Sequence, residues 1–288
     1  MSKVKPSIIV TGANGQVGRC LQKLQEHFPG FDLQFLGREH LPIDNHELTR
    51  QVISAMQPFG VINTAAYTAV DKAETEIEIA KNINGYAAGN LARHCARMGV
   101  RFLQISTDYV FDGKGYSPHA ETDETHAVNA YGASKLLGEE LVIKENADAL
   151  IIRTSWVYSA YGNNFVKTMR RLFEERNEVK VVNDQYGGPT FAMDLAHAIL
   201  QIITGTNWVP GIYHYCNAGI ISWFEFAQAI KETGNYNCLV TPITTQQFPT
   251  PARRPAYSAL SCQKMEDTFG IVPPDWKEAL ERYFQNNG

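Results

Sequence analysis

The chain opens on Ser7-Ile8-Ile9-Val10, an uncharged β-branched run closed by Thr11-Gly12, and then changes period. From Gln16 to Phe28 the apolar positions Val17, Leu21, Leu24 and Phe28 recur at helical spacing, so strand, turn and helix are predicted in that order. The unit repeats. Leu33–Leu36 reads as strand, His46–Met56 as helix, Gly60–Asn63 as strand, and a long helical stretch runs from about Asp71 to Met98. Arg101–Ser106 as strand, Ala130–Glu145 as helix and Ala149–Arg153 as strand complete the series. Strands built mainly from Val, Ile, Leu and Phe, alternating with helices, argue for a parallel sheet covered on both faces. The predicted class is α/β, a Rossmann-type doubly wound parallel sheet.

Beyond Ser155 the rhythm loosens, and eight of the 13 prolines fall in this remainder. Helical windows persist at Asn164–Glu175, Phe191–Thr204, Ser222–Thr233 and Asp275–Asn286. A smaller C-terminal substrate-binding lobe is expected on the carboxyl edge of the sheet, where open α/β sheets bind ligands. The expected division is residues 1–155 as dinucleotide-binding domain, with 186–208 returning to it, and 156–288 mainly as substrate lobe. A chain of 288 residues is long enough to bury both cores.

Charge narrows the partners. Lys and Arg total 26 against 30 Asp and Glu, a net charge of −4, so the basic footprint of a nucleic-acid binder is missing. The five cysteines are scattered without a C-x-x-C pair, which argues for a reducing compartment and against a zinc cluster. The apolar run after Pro6 is too short for a secretory core, and no segment approaches a membrane span. A soluble, cytoplasmic protein with no membrane partner is expected.

The turn after the first strand, Gly12-Ala13-Asn14-Gly15-Gln16-Val17-Gly18, is G-x-x-G-x-x-G. Gly12 would permit the tight turn, Gly15 the approach of a pyrophosphate, and Gly18 close helix packing, with the helix N-terminus supplying positive potential. A bare connecting turn is the plainer alternative. An NAD-selective fold often carries Asp or Glu at the end of the second strand, but Leu36-Gly37-Arg38 stands there. Arg38 can pair with a 2′-phosphate, which favours NADPH while leaving NADH possible; otherwise it is a solvated surface arginine. Asp44 either meets the adenine or caps the following helix.

Tyr131-Gly132-Ala133-Ser134-Lys135 puts a phenol and an ammonium on one face of one helix. That helix follows a strand ending in Ser106-Thr107-Asp108-Tyr109, so the Thr107 hydroxyl can stand beside the phenol. Reduction of a carbonyl needs a proton donor and hydrogen bonds that polarise the oxygen. In this reading Thr107 polarises, Tyr131 delivers the proton, and Lys135 lowers the phenol pKa and binds the nicotinamide ribose. The plainer alternative has Ser106 and Thr107 satisfying loose backbone groups at a strand end.

These motifs, with Asn63-Thr64-Ala65-Ala66, resemble the extended short-chain dehydrogenases/reductases. Longer strings, among them Tyr67-Thr68-Ala69-Val70-Asp71, Ser106-Thr107-Asp108-Tyr109-Val110-Phe111, Asn183-Asp184-Gln185-Tyr186-Gly187-Gly188-Pro189-Thr190 and Pro251-Ala252-Arg253-Arg254-Pro255, resemble the dTDP-4-dehydrorhamnose reductase family over nearly the whole chain. The resemblance implies NAD(P)H-dependent reduction of the 4-keto group of a dTDP-linked 4-keto-6-deoxy sugar. It assigns Thr107, Tyr131 and Lys135 to catalysis and Asn84 to a supporting proton relay. Gly12, Asn14, Gly15, Gln16, Val17, Gly18, Arg38, Asp44, Ala65, Ala66 and Tyr67 would line the cofactor. Thr68, Val70, Tyr109, Trp156, Asn164, Gln185 and Arg254 would surround the sugar nucleotide. Trp156 could equally be core and Arg254 a surface charge, although two arginines between prolines make a rigid fork for a diphosphate. Some family members bridge a homodimer through magnesium-bound glutamates, but Cys20 and Met193 stand at two matching positions, so no metal is expected and a homodimer stays open. Two alternatives remain: a non-catalytic NADP-binding subunit like the regulatory subunit of methionine adenosyltransferase, or a nucleotide-sugar epimerase or dehydratase.

Overall fold

The protein is described by a computed structural model over residues 5–287; Met1–Val4 and Gly288 lie outside the described residues. The first half alternates as its pattern requires: β1 (Ser7–Thr11), α1 (Gln16–Leu24), β2 (Asp32–Leu36), α2 (His46–Met56) and β3 (Gly60–Asn63). It continues through α3 (Val70–Ala73), α4 (Ile77–Ala80), a π-helical stretch (Lys81–Ala87), α5 (Ala88–Arg97), β4 (Arg101–Thr107), α6 (Ala130–Glu145) and β5 (Leu150–Thr154). In the second half come β6 (Val157–Tyr158), α7 (Phe165–Glu175), β7 (Glu178–Val182), β8 (Tyr186–Gly187), β9 (Thr190–Phe191) and α8 (Ala192–Thr204). The chain ends with β10 (Gly211–His214), β11 (Ile221–Ser222), α9 (Trp223–Thr233), β12 (Leu239–Ile243), α10 (Gln263–Phe269) and α11 (Trp276–Asn287).

The central sheet has six strands in the order β10-β5-β4-β3-β1-β2, every neighbouring pair parallel. Because side chains alternate across a strand, Ile8 and Val10 join α1 and α8 on one face while Ile9 joins α2, α5 and α6 on the other. The sheet is thus doubly wound. The strand order reverses between β1 and β3, and a crevice at the carboxyl ends there is where such folds bind ligands. A separate core of Tyr158, Val166, Phe173, Phe191, Phe226, Trp276 and Tyr283 gathers α7, α9 and α11 with three two-stranded pairings.

Beyond the short strands β6–β9, β11 and β12 and helix α10, which the sequence pattern did not mark, the structure departs from it in three places. The helix expected over Gln16–Phe28 ends at Leu24 and tightens into a 3₁₀ turn at Gln25–His27. The stretch from Asp71 to Met98 is broken into α3, α4, the π-turns and α5. Close packing accompanies the break: a Cβ on Gly138 of α6 would stand 2.1 Å from the Asn84 carbonyl oxygen, so the two backbones nearly touch. Finally, the sixth strand of the sheet is β10, which the sequence pattern did not mark. Four residues containing Tyr213 and His214 carry too little apolar alternation to announce a central-sheet strand.

Helix α6 is bound to the sheet by charge as well as by apolar contact. Glu139 and Arg153 of β5 form an ion pair with both side chains at most 3% exposed, NH2 donating at 2.7 Å, and the Ser106 hydroxyl of β4 donates to the same carboxylate. A buried ion left unpaired costs far more than a buried pair. Arg153→Leu should therefore lower unfolding stability by about 3–5 kcal/mol, and Arg153→Leu with Glu139→Leu by much less. Urea denaturation of both variants checks this; a double variant as damaged as the single one would reject it.

Candidate active site

A cavity of about 760 Å³ opens along the carboxyl ends of the sheet, between the glycine turn and the second core. At its floor the turn is shaped by backbone constraint. Gly12 has φ of +65°, and a Cβ there would lie 2.5 Å from the Ala65 backbone nitrogen, so no other residue fits between β1 and the chain leaving β3. Gly15 is the N-cap of α1, and neither a side-chain cap nor an acidic residue occupies the first turn. The free N–H groups and dipole of α1 thus face the cavity, the setting a phosphate needs. Gly18 does not line the cavity; a Cβ there would strike Ala13 at 2.7 Å, so it lets the helix lie against the turn.

Asn14, Gln16, Val17, Arg38, Asp44, Ala65 and Ala66 line the same wall. Asn45, not Asp44, caps α2, accepting from the Leu48 N–H at 3.1 Å, which leaves the Asp44 carboxylate for the cavity. Arg38 is exposed at the rim. Its neighbour Glu39 accepts from the Asn14 amide at 3.1 Å and thereby fixes a cavity side chain, a contact that sequence spacing did not signal. These features fit a dinucleotide: a phosphate cradle, an acidic group further along, and a cation at the rim.

Thr107, Tyr131 and Lys135 meet on the opposite wall, although β4 and α6 contribute them separately. Asn129 caps α6 by accepting from the Gly132 N–H at 2.7 Å, and the Glu74 carboxylate accepts from the Ala130 N–H at 2.8 Å. Two acceptors at its N-terminus start the helix where Tyr131 reaches the cavity. Lys135, 3% exposed, donates from Nζ to the Ile105 carbonyl at 2.6 Å. Burial pushes its ammonium down to about 8 while the Glu139 charge pulls it back up. The phenol departs from expectation. Burial pushes Tyr131 up to about 12, a hydrogen bond with Thr107 opposes this, and the Asp108 charge adds to the rise. The Lys135 amine, four residues along the same helix, donates to the strand carbonyl. Tyr131 is therefore a neutral acid in this state rather than a phenol primed to ionise. Asp108 itself is pushed up to about 6 by burial, against hydrogen bonds from Ser258 and Thr107.

Thr68, Val70, Tyr109 and Trp156 also line the cavity. Trp156 has φ of +45°, a strained conformation for an aromatic residue, and its indole stacks on Trp223 at 3.5 Å with a 10° interplanar angle. A Cβ on Gly187 would lie 2.8 Å from the Trp156 ring, so Gly187 and Trp223 together hold it. Trp223, itself a cavity residue, escaped the sequence reading because it opens a helix in a segment without a motif.

Besides Gly18, five expected residues do not line the cavity. Asn84 accepts from the Tyr67 N–H at 2.8 Å and donates to the Tyr67 carbonyl and the Ser134 hydroxyl, tying the π-turns to α6. Tyr67 donates to Glu76 at 2.6 Å, which pushes its phenol up to about 12. Asn164 caps α7, accepting from the Lys167 N–H at 3.0 Å, and donates to the Gln16 side-chain oxygen at 2.9 Å. Gln185 is buried and donates to Thr245 at 3.0 Å. Arg254 is held by Asp71 at 3.1 Å and close enough to Tyr109 to act on its phenol, so its charge is partly neutralised beside the cavity.

Fold and site together define an oxidoreductase of the short-chain dehydrogenase/reductase type. The chain matches the family described as the RmlD substrate binding domain over residues 6–288. It is 43% identical over 294 residues to the dTDP-4-dehydrorhamnose reductase of Burkholderia thailandensis, covering 95% of this chain and 96% of that one. It is 42% identical over 280 residues to the spore coat polysaccharide biosynthesis protein SpsK of Bacillus subtilis, with 96% of each covered. A crystal structure of the Bacillus anthracis dTDP-4-dehydrorhamnose reductase in complex with NADP superposes with a TM-score of 0.95 at 40% identity, covering 98% of this chain and 100% of that one. The chain belongs to the dTDP-4-dehydrorhamnose reductase family. No helix among the described residues is long and apolar enough to cross a membrane.

The buried lysine gives a prediction that requires no substrate. In a carbon-13 NMR titration of lysine-labelled protein, one resonance, missing in Lys135→Met, should lose its charge near pH 8, below the ordinary value of about 10.4 for a lysine in a model peptide. The direction is fixed, since burial disfavours the ammonium and raising the pH removes it. A Lys135 signal that keeps its charge up to about pH 10 would reject the burial argument.

Proposed function

We propose that the chain reduces the 4-keto group of dTDP-4-dehydro-L-rhamnose to dTDP-L-rhamnose with NADPH, NADH serving less well, in the cytoplasm, as a step toward cell-surface polysaccharide. The observation that carries this reading is the convergence of Thr107, Tyr131 and Lys135 on one cavity with the glycine turn. Such a trio is redundant in a regulatory subunit that only holds a cofactor. Family membership supports the substrate class, and the NADP-bound relative supports the cofactor.

When bound, the reduced nicotinamide supplies a hydride to the ketone carbon. The rest of the chemistry belongs to this chain. As negative charge develops on the ketone oxygen, the Thr107 hydroxyl donates to it and the Tyr131 phenol transfers its proton. A phenol pushed up to about 12 in the free protein is a weak acid but remains fully protonated at neutral pH, so the donor is always loaded. Lys135 supplies the nearby positive charge that offsets the tyrosinate once the proton has left, and its remaining N–H donors reach for ribose hydroxyls. Asn84 acts through Tyr67 and Ser134 to set where α6 presents these groups.

Gly12, Gly15 and the first turn of α1 would take the pyrophosphate. Asn14, Gln16 and Val17 would flank it, Asp44 would face the adenosine, Ala65 and Ala66 would lie under the nicotinamide half, and Arg38 would take the 2′-phosphate. Thr68, Val70, Tyr109 and the braced indole of Trp156 would hold the sugar nucleotide. Arg254, freed in part from Asp71, would meet its diphosphate, with Gln185 and Asn164 acting from behind the wall.

Tyr131→Phe should lower NADPH oxidation with dTDP-4-dehydrorhamnose by about 10²–10⁴-fold while circular dichroism stays unchanged. Undiminished turnover would remove the proton-donor role. Arg38→Ala should raise KM for NADPH roughly tenfold or more and leave KM for NADH within about twofold. Equal losses for both cofactors would exclude a 2′-phosphate contact.

A further inference from the structure

The five cysteines do not share one environment. Cys20, Cys95 and Cys238 are buried singly, and burial pushes the Cys20 thiol up to about 12. Cys216 and Cys262 instead face each other, Sγ to Sγ at 3.7 Å, though 46 residues separate them in sequence. Cys216 follows β10 and is buried; Cys262 is the N-cap of α10 and half-buried.

The two sulfurs are not equivalent. The backbone N–H of Cys216 donates to Cys262 Sγ at 3.3 Å; between the two thiols either sulfur can donate, and each also has a carbonyl in reach, Leu260 for Cys216 at 3.8 Å and Cys216 for Cys262 at 3.7 Å. A backbone N–H aimed at one sulfur of the pair favours the thiolate on that sulfur. The Cys262 thiol accordingly lies below its ordinary range, chiefly because of the Cys216 hydrogen bond, against burial and the Glu121 charge. Cys216 is pushed well up by that same hydrogen bond, then by burial and by the Cys262 and Asp108 charges. Two thiols in van der Waals contact, one of them on a half-buried residue, have the arrangement of an attacking and a resolving cysteine.

We propose that Cys216 and Cys262 are a covalent modification site that closes to an intramolecular disulfide when the folded protein meets a peroxide. The Cys262 thiolate attacks one peroxide oxygen, the O–O bond breaks, and hydroxide leaves, taking a proton to become water; Cys262 is now a sulfenic acid. Cys216 then attacks the sulfenic sulfur, the S–O bond breaks, and the departing hydroxide takes the Cys216 proton as a second water. Two thiols lose two electrons to one peroxide. Closing the bond requires the sulfurs to approach from 3.7 Å to about 2.05 Å, within the reach of side-chain rotation and small backbone shifts. The tie would join the end of β10 to a strap that the rest of the fold already pins: Tyr257 N–H donates to Gly113, Ser258 N–H to Tyr186 and Ser261 N–H to His119. Through that strap it would reach Arg254 beside the cavity. None of this depends on which sugar nucleotide the cavity takes.

The test uses the full chain, reduced, freed of reductant, treated with hydrogen peroxide, then denatured and alkylated with N-ethylmaleimide before intact-mass and peptide mapping. The expected result is loss of two of the five alkylatable thiols, a cross-linked peptide joining residues 216 and 262, monomer mobility unchanged on a non-reducing gel, and recovery of all five thiols with dithiothreitol. Cys262→Ser and Cys216→Ser should each abolish the cross-link. Five thiols surviving peroxide would overturn the proposal, as would sulfinic acid at Cys262 with Cys216 still alkylatable, or a different pairing. The mapping of the unsubstituted chain decides the matter even where a serine variant fails to fold.

Discussion

The seating of α6 on β4 and β5 governs most of what this protein can do. One face of the helix carries Tyr131, Lys135 and Glu139, four residues apart, and each is fixed by a different kind of force. Glu139 is locked into a charge pair with Arg153 and accepts from Ser106. Lys135 donates to the Ile105 carbonyl, and Tyr131 packs edge-on against Tyr109 at 5.8 Å while reaching Thr107. A buried ion pair is expensive to form, and its merit lies in being intolerant of displacement. A helix rotated by one residue would strand a carboxylate in the core, so the pair sets the register in which the phenol meets the strand end.

The electrostatics of the site follow from the same burial. Removing water raises the phenol and depresses the ammonium, so both groups drift toward neutrality before any ligand arrives. The lysine spends one N–H on a strand carbonyl rather than on the phenol. Burial holds the Tyr131 phenol protonated in the free protein. This differs from the expectation drawn from the Tyr-x-x-x-Lys spacing, which assumed that proximity along a helix face would translate into a lowered phenol.

The glycine turn couples the two parts of the molecule. Gln16, at the start of α1, donates to the Val157 carbonyl at 3.2 Å and accepts from Ser159 and Asn164. The residue that opens the phosphate-facing helix is thus also a tie to the second core. Trp156 begins that second part with a backbone strained to φ of +45°, and the Trp223 stack and the Gly187 gap keep its indole at the cavity. The cavity is bounded by groups that each secure a neighbouring element.

Local pattern was enough to read β1 through β5, the glycine turn and the placing of Thr107, Tyr131 and Lys135 at the ends of their elements. Hydrophobic period and turn chemistry act over a few residues, and those elements are written at that scale. It was not enough for β10, for the break of the long helix into π-turns, or for Trp223, Glu39 and the Asp71 partner of Arg254. Each of these depends on groups brought together from tens to nearly two hundred positions apart, as Arg254 and Asp71 are at a separation of 183. A four-residue strand becomes a strand because β5 offers it an open edge, and a tryptophan becomes part of a site because another ring lies flat against it. Periodicity carries no record of such pairings; only the packed chain supplies the partner.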